Sequence, residues 1–160
     1  MSQIEMDQRW MEYALQLAER AADEDEVPVG AVVVCDDQVV GEGWNQPIGQ
    51  CDPSAHAEIQ AIRSASKHRQ NYRLTGSTLY VTIEPCIMCA GAIIHARISR
   101  VVFGASESKA GALTSQLKLL EQPFINHHPE VLGGVMAQAC SARMSRFFKL
   151  KRQRAKNKRD

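Results

Sequence analysis

The stretch EPCIMCAGAIIHAR, residues 84 to 97, sets Cys86 and Cys89 three positions apart behind Pro85, at the head of an apolar run with helical spacing. Residues three apart on a helix share a face, so both sulfurs reach one ion or each other. Cys-x-x-Cys alone serves redox exchange, a structural zinc knot or a working metal site. The choice turns on a second segment, HAEIQAIR, in which His56, Ala57 and Glu58 open another apolar-periodic helix. One imidazole and two thiolates suit zinc, a borderline-soft ion that accepts nitrogen and sulfur in tetrahedral geometry. For those three groups to meet, the starts of two helices far apart in the chain must come together over a sheet. That requirement constrains the fold more than any other feature.

Three protein ligands leave one corner for water, whereas a closed structural site needs a fourth. Cys35, Cys51, Cys140 and His95 are the remaining candidates, and none falls in a second paired spacing. Cys35 lies in an apolar strand and Cys140 on the terminal helix, so both read as small core residues. His95 reads as a helix-end residue, and His127 and His128 as members of a solvated loop, a contact to a binding partner being the other option. Five cysteines without regular spacing suit reduced thiols rather than a disulfide framework. A thioredoxin-like pair would leave His56 and Glu58 unused. A zinc-bound water can titrate near 7 instead of about 15.7, and Glu58 has the position and length to shuttle its proton. Positions two apart do not face each other on a regular helix, so the first turn must bring His56 and Glu58 to the same side.

Around these segments, β-rich runs alternate with amphipathic helices. From Asp7 to about Asp23, Trp10, Tyr13, Ala14, Leu17, Ala18 and Ala21 recur at helical intervals, with Asp7 as the expected N-cap. VGAVVVC (29 to 35) and VVGEGWN (39 to 45) predict a hairpin turning at Asp36, Asp37 and Gln38. The next helix is expected near DPSAHAEI, capped by Asp52 or Ser54 with Pro53 at its start. STLYVTI (77 to 83) and RVVFGA (100 to 105) predict buried strands, and Thr114 to Leu120 a short helix. A weaker strand near Glu130 to Met136 and a long helix from about Ala137 complete the chain. No repeat or linker interrupts the 160 residues, which suit one domain. An antiparallel pair followed by strands with helical crossovers implies an α/β layered architecture with a mixed sheet.

His-x-Glu followed by Pro-Cys-x-x-Cys is the pattern of zinc-dependent nucleobase deaminases. With EVPVGAVVV, GEGWN, DPSAHAEI, NYRLTGSTLYVTIEPCIMCAGAIIHARISRVVFGA and the FF ahead of the basic end, nearly the whole chain resembles the bacterial tRNA-specific adenosine deaminases of the cytidine/deoxycytidylate deaminase-like superfamily. The resemblance implies a three-layer α/β/α cytidine deaminase-like fold with a mixed five-stranded sheet, one zinc ion per subunit, and hydrolysis of the wobble adenosine of a tRNA anticodon stem-loop to inosine. It implies His56, Cys86 and Cys89 as zinc ligands and Glu58 as the carrier of the water proton to the ring nitrogen and leaving amine. Asn45 would hydrogen-bond the target base, Val29 would form part of the pocket wall, and Lys109 would contact the RNA backbone. Backbone amides near Ala57 and Cys86 would orient the base or the tetrahedral intermediate. A homodimer whose RNA groove draws on both subunits also follows. Read without the resemblance, Asn45 is equally a turn residue after a strand. Glu107, in SESKAGA (106 to 112), departs from the aspartate common in bacterial relatives, in a loop expected to meet RNA.

The formal net charge of +1 hides an asymmetry: residues 1 to 26 carry eight acids against two bases, while residues 143 to 160 carry nine bases and one acid, Asp160. RMSRFFKLKRQRAKNKRD interleaves bases with Phe147 and Phe148, as would a helix gripping phosphates while offering an aromatic face. A solvated helix fraying into a charged tail has the same composition, and the two phenylalanines equally suit core anchors. No apolar run reaches the roughly 20 residues of a membrane span, and MSQIEMDQRW is unlike a secretory or transit peptide. A cytoplasmic protein without membrane contact is expected. Two other functions suit the motifs: a deaminase of free guanine, cytosine or deoxycytidylate, and a non-catalytic zinc-stabilised RNA-binding module.

Overall fold

The computed structural model describes residues 1–159; Asp160, the one acid of the basic terminal segment, lies outside the described residues. The elements follow in the order α1 (Gln3–Asp23), β1 (Gly30–Cys35), β2 (Gln38–Trp44), α2 (Pro47–Gln50), α3 (Ala57–Arg69), β3 (Thr78–Ile83), α4 (Ile87–His95), β4 (Arg100–Ala105), a 3-10 turn (Leu119–Glu121), β5 (Glu130–Leu132) and α5 (Ala137–Arg159). The sheet order is β2-β1-β3-β4-β5. β1 is antiparallel to β2 and β3, whereas β3, β4 and β5 run parallel, so the mixed five-stranded sheet matches expectation. Alternation along the strands sends side chains to two cores. Ala31, Val33, Leu79, Val81, Val101 and Phe103 pack with α3 and α4, while Val32, Val34, Tyr80 and Val102 pack with α1 and α5. The result is three layers, α/β/α. Among the described residues no helix is long and apolar enough to cross a membrane.

Several local expectations are corrected. Helix α1 starts four residues before Asp7, because Ser2 caps it by accepting the Glu5 N–H at 3.2 Å, as in a Ser-x-x-Glu capping box. Asp7 is instead a buried mid-helix residue, 2% exposed, whose carboxylate takes a bidentate pair from Arg100 (2.7 and 2.8 Å) and the Tyr80 hydroxyl (2.8 Å). That cluster ties α1 to β3 and β4. Asp52 and Ser54 do not cap α3; the Asp52 carboxylate folds onto Ser54 in a turn, and His56 is the N-cap. The helix expected over Thr114 to Leu120 is a series of turns followed by the 3-10 segment, and β5 ends at Leu132 rather than Met136. The hairpin turns through Asp36 (φ 50°) and Asp37 (φ 59°), left-handed at both central positions as a two-residue type I′ connection requires.

Two glycines seat α3. A Cβ at Gly41 would lie 2.5 Å from Ala61 O and Ala65 N, and one at Gly43 would lie 2.5 Å from Ala57 O and Ala61 N. Gly41 and Gly43 share one face of β2, and Ala57, Ala61 and Ala65 share one face of α3, so helix and strand meet backbone to backbone. This contact carries the start of α3 to the end of β2.

Helix α5 runs to Arg159, with its residues from Phe148 onward exposed. The charge asymmetry of the chain is spent partly between its ends, because Arg143 and Arg146 pair with Glu19, and Arg154 pairs with Asp25. Phe147 is a core anchor at 6% exposed, whereas Phe148 is 38% exposed. His127 and His128 lie in a loop as expected, half-buried and exposed respectively, and also donate to the Ile98 and Leu120 carbonyls at 2.7 and 2.8 Å. Cys140 is buried, but Cys35 is only half-buried beside the Arg69 guanidinium.

Burial works against the Asp7 carboxylate, yet the hydrogen bonds from Arg100, Tyr80 and Gln3 outweigh it and hold Asp7 below its usual range. A carboxylate that titrates lower folded than unfolded stabilises the fold above its unfolded value of about 3.9, and that contribution is lost as pH falls through the folded value. Asp7→Asn should cost roughly 3 kcal/mol at neutral pH, because it strands a largely buried guanidinium. Urea unfolding should show this gap at pH 7 and its narrowing in acid; a wild-type midpoint at pH 7 would refute the assignment.

Candidate active site

Because β1 opposes both β2 and β3, and β4 follows β3, the carboxyl ends of β2, β3 and β4 lie at one edge of the sheet. Val29, immediately before β1, is at the same edge. Asn45, Glu84 and Glu107 follow β2, β3 and β4 there, and the N-termini of α3 and α4 start from it. His56 and Cys86 are the N-caps of those two helices, with extended dihedrals (φ −71°, ψ 155° and φ −78°, ψ 177°). The two-residue offset between His56 and Glu58 is therefore not read on a helical wheel, and both residues line the same cavity.

His56 Nδ1 lies 3.7 Å from Cys86 Sγ and 3.6 Å from Cys89 Sγ, and the three ligand atoms fall within 4.8 Å of one another. Zinc bonds of about 2.3 Å to sulfur and 2.0–2.1 Å to nitrogen give a tetrahedral edge of about 3.6 Å, so this donor set fits that ion. Among the described residues no fourth His, Cys, Asp or Glu joins the group. The closed structural site thus lacks its last ligand, and Cys35, Cys51, Cys140 and His95 stand apart.

The electrostatics favour a cation. The neighbouring Cys89 thiol, then the His56 imidazole, hold Cys86 down at about 3 despite burial. Cys89, facing that sulfur and buried, is pushed up, and Cys86 raises His56. Burial pushes the Glu58 carboxyl up to about 7, with Cys86 adding to the effect and His56 opposing it. Two sulfurs and a carboxylate crowded into a low-dielectric site repel one another, and a divalent ion relieves that repulsion. The partial positive ends of α3 and α4 point the same way.

Glu58 is 4% exposed and lines a cavity of about 190 Å³ with Val29, Asn45, His56 and Cys86. This is smaller than the roughly 300–1,000 Å³ of sites that engulf drug-sized ligands, and it suits a single inserted ring system. The Ala57 N–H donates to Asn45 Oδ1 at 2.8 Å. A backbone donor can only face the carboxamide oxygen, which leaves the Asn45 NH2 for the cavity and commits the Ala57 amide within the protein. Lys109 is exposed, outside the lining, and its own N–H caps onto Glu107 Oε1 at 2.9 Å. Sequence reasoning missed Glu84, Met144 and Ala110 in the lining. Only Glu84 left a signal: a charge closing the apolar run STLYVTI just before Pro85 must find partners if buried.

A three-layer sandwich with a His-Cys-Cys cluster at two helix N-termini, and a buried carboxylate beside it, defines a candidate metal centre. The family model for the cytidine and deoxycytidylate deaminase zinc-binding region matches residues 4–105. A tRNA-specific adenosine deaminase of Haemophilus influenzae is 53% identical over 153 residues, covering 95% of this chain and 88% of that protein. One from Buchnera aphidicola is 44% identical, covering 91% and 96%. A solved structure from a study of A-to-I editing by tRNA deaminases at the wobble position superposes with TM-score 0.82 at 42% identity, covering 84% and 98%. A guanine deaminase from Nitrosomonas europaea, at 20% identity and TM-score 0.70, shares the fold, covering 86% of this chain and 81% of that one. The chain belongs to the cytidine and deoxycytidylate deaminase family, within its branch of tRNA-specific adenosine deaminases.

Replacing His56 with Ala or Cys89 with Ser should lower zinc affinity well over tenfold, since even outer partners of metal ligands matter by 10–100-fold. Metal analysis after dialysis would check this; retention of wild-type zinc in either variant would exclude the cluster as the site.

Proposed function

We propose that the chain is a single zinc-dependent deaminase domain, residues 1–160, that hydrolyses the wobble adenosine of a tRNA anticodon stem-loop to inosine and ammonia. The observation that carries this is the conjunction of a three-ligand cluster, with no fourth side-chain ligand among the described residues, and a buried Glu58, in a cavity of about 190 Å³. The names of the relatives support the substrate. His56, Cys86 and Cys89 hold one zinc ion per subunit. When bound, zinc supplies a Lewis acid that makes water acidic near neutral pH.

Glu58 accepts one proton of the attacking water and gives it to the ring nitrogen as the C6–O bond forms. It then takes the remaining proton of the added hydroxyl and gives it to the amine as the C6–N bond breaks and ammonia leaves. Its place suits both halves of that task, because Glu58 is buried and lines the cavity beside His56 and Cys86, where those protons must move. The Asn45 NH2, fixed by the Ala57 amide behind it, orients the base, and Val29 packs against it. An anticodon loop is already unpaired, so inserting one splayed nucleotide costs less than extracting it from a duplex.

The basic face of α5 from about residue 143, together with Lys109, supplies phosphate contacts. The protein acts in the cytoplasm as a homodimer; Ile87 and Met88, 62% and 37% exposed on the first turn of α4, support a partner beside the site. A free-base deaminase would not need the exposed bases of α5.

Incubation with a stem-loop bearing a wobble adenosine should yield inosine, and free guanine or cytosine should not turn over. The opposite result would assign a small-molecule deaminase. Glu58→Gln should keep zinc and RNA affinity while turnover falls about 10²–10⁴-fold; unchanged turnover would remove Glu58 from the mechanism. Deleting residues 151–160 should weaken stem-loop binding and flatten its dependence on salt, since fewer counterions are released. A slope equal to wild type would show that the tail does not touch RNA.

A further inference from the structure

Glu84, 3% exposed beyond the end of β3, plays no part in the chemistry above. Its carboxylate accepts five hydrogen bonds from one loop. Oε1 takes the Glu107 N–H (3.1 Å) and the Ser115 hydroxyl, and Oε2 takes the N–H groups of Leu113 (3.1 Å), Thr114 (2.9 Å) and Ser115 (3.0 Å). The loop closes so tightly that a Cβ at Gly111 would lie 2.4 Å from the carboxylate carbon. Residues 106–118 contain neither helix nor strand, so no backbone ladder replaces this carboxylate as the acceptor for those amides. The loop carries Glu107 and Ala110, which line the cavity from the β4 side, while Val29 and Asn45 line it from the side of β1 and β2. Glu84 sits between them and two residues before Cys86.

We propose that Glu84 is a positioning residue for the substrate: it clamps the 106–116 loop, and so sets the width of the base pocket between the Asn45 wall and the Glu107 wall. The same short segment thereby registers the pocket against the metal cluster. This rests on the wobble-adenosine reading above.

The test uses full-length, zinc-loaded protein and two independent variants. Glu84→Gln replaces one acceptor oxygen with a donor, and Gly111→Ala pushes the loop off an unaltered Glu84. Each should retain wild-type zinc and raise KM for the stem-loop by about tenfold or more, with kcat falling less than KM rises. The double variant should go little beyond either single one, because both act through one contact. Unshifted KM in either variant would overturn the proposal. So would loss of zinc or of kcat at constant KM, which would make Glu84 a support of the metal ligands. Should Glu84→Gln fail to fold, Gly111→Ala decides, together with hydrogen exchange in the wild type. There the amides of Glu107, Leu113, Thr114 and Ser115 should be slow as a group, and exchange at open-loop rates would refute the clamp. A wild type that edits no stem-loop defeats the deaminase reading itself, whereas an active wild type with unshifted variants defeats only this inference.

Discussion

The N-termini of α3 and α4 converge on a single point, and the rest of the molecule is arranged to let them do so. Each helix begins at an extended N-cap, His56 or Cys86, so a side chain with a soft or borderline donor atom leaves the backbone where free N–H groups and the helix dipole make the surroundings positive. Thiolates are welcome there, and a buried carboxylate nearby is tolerated. Three layers are needed to hold the two helices on one face of the sheet at the right spacing. The close contact of Gly41 and Gly43 with Ala57 and Ala61 carries α3 to its place. The parallel crossover from β3 through α4 to β4 carries Cys86 and Cys89 to theirs.

The opposite face is held by charge as much as by apolar packing. Asp7, Arg100 and Tyr80 cross-link α1 to the middle of the sheet from within a buried setting. Glu19 and Asp25 at the far end of α1 draw in arginines of α5. The exposed pairs, Arg146 with Glu19 and Arg154 with Asp25, contribute little stability individually, whereas the Arg143 side chain is largely buried against Glu19. They orient α5, however, so that Met144 reaches the cavity while the remaining bases stay exposed along the helix. An acidic beginning and a basic end are thus two halves of one docking surface, with basic charge left over.

Much was legible from local pattern. The strands at 30–35 and 100–105, the turn at Asp36 and Asp37, and the start of α5 near Ala137 lie where periodicity and turn chemistry put them. The three residues that meet at the cluster were nameable before any fold, because two thiolates three positions apart and an imidazole at helix starts make a donor set that suits zinc. The two N-caps that failed share a cause. Asp7 and Asp52 looked like caps because a short acidic side chain before an apolar-periodic run usually is one. Asp7 lies opposite Arg100, ninety-three positions away, and an ion pair in a buried setting outweighed the cap that Ser2 supplies more cheaply.

What the chain's own order of residues determined was element type, ligand identity and the sign of charge at each end, all of which depend on neighbours within a few positions. What the tertiary structure alone decided was which carboxylates are buried and what answers them. Glu58 faces the metal cluster, Glu84 gathers the amides of a distant loop, and Asp7 holds a guanidinium. The free energy of a buried charge is set by the groups packed around it, and those come from segments whose proximity no local pattern encodes.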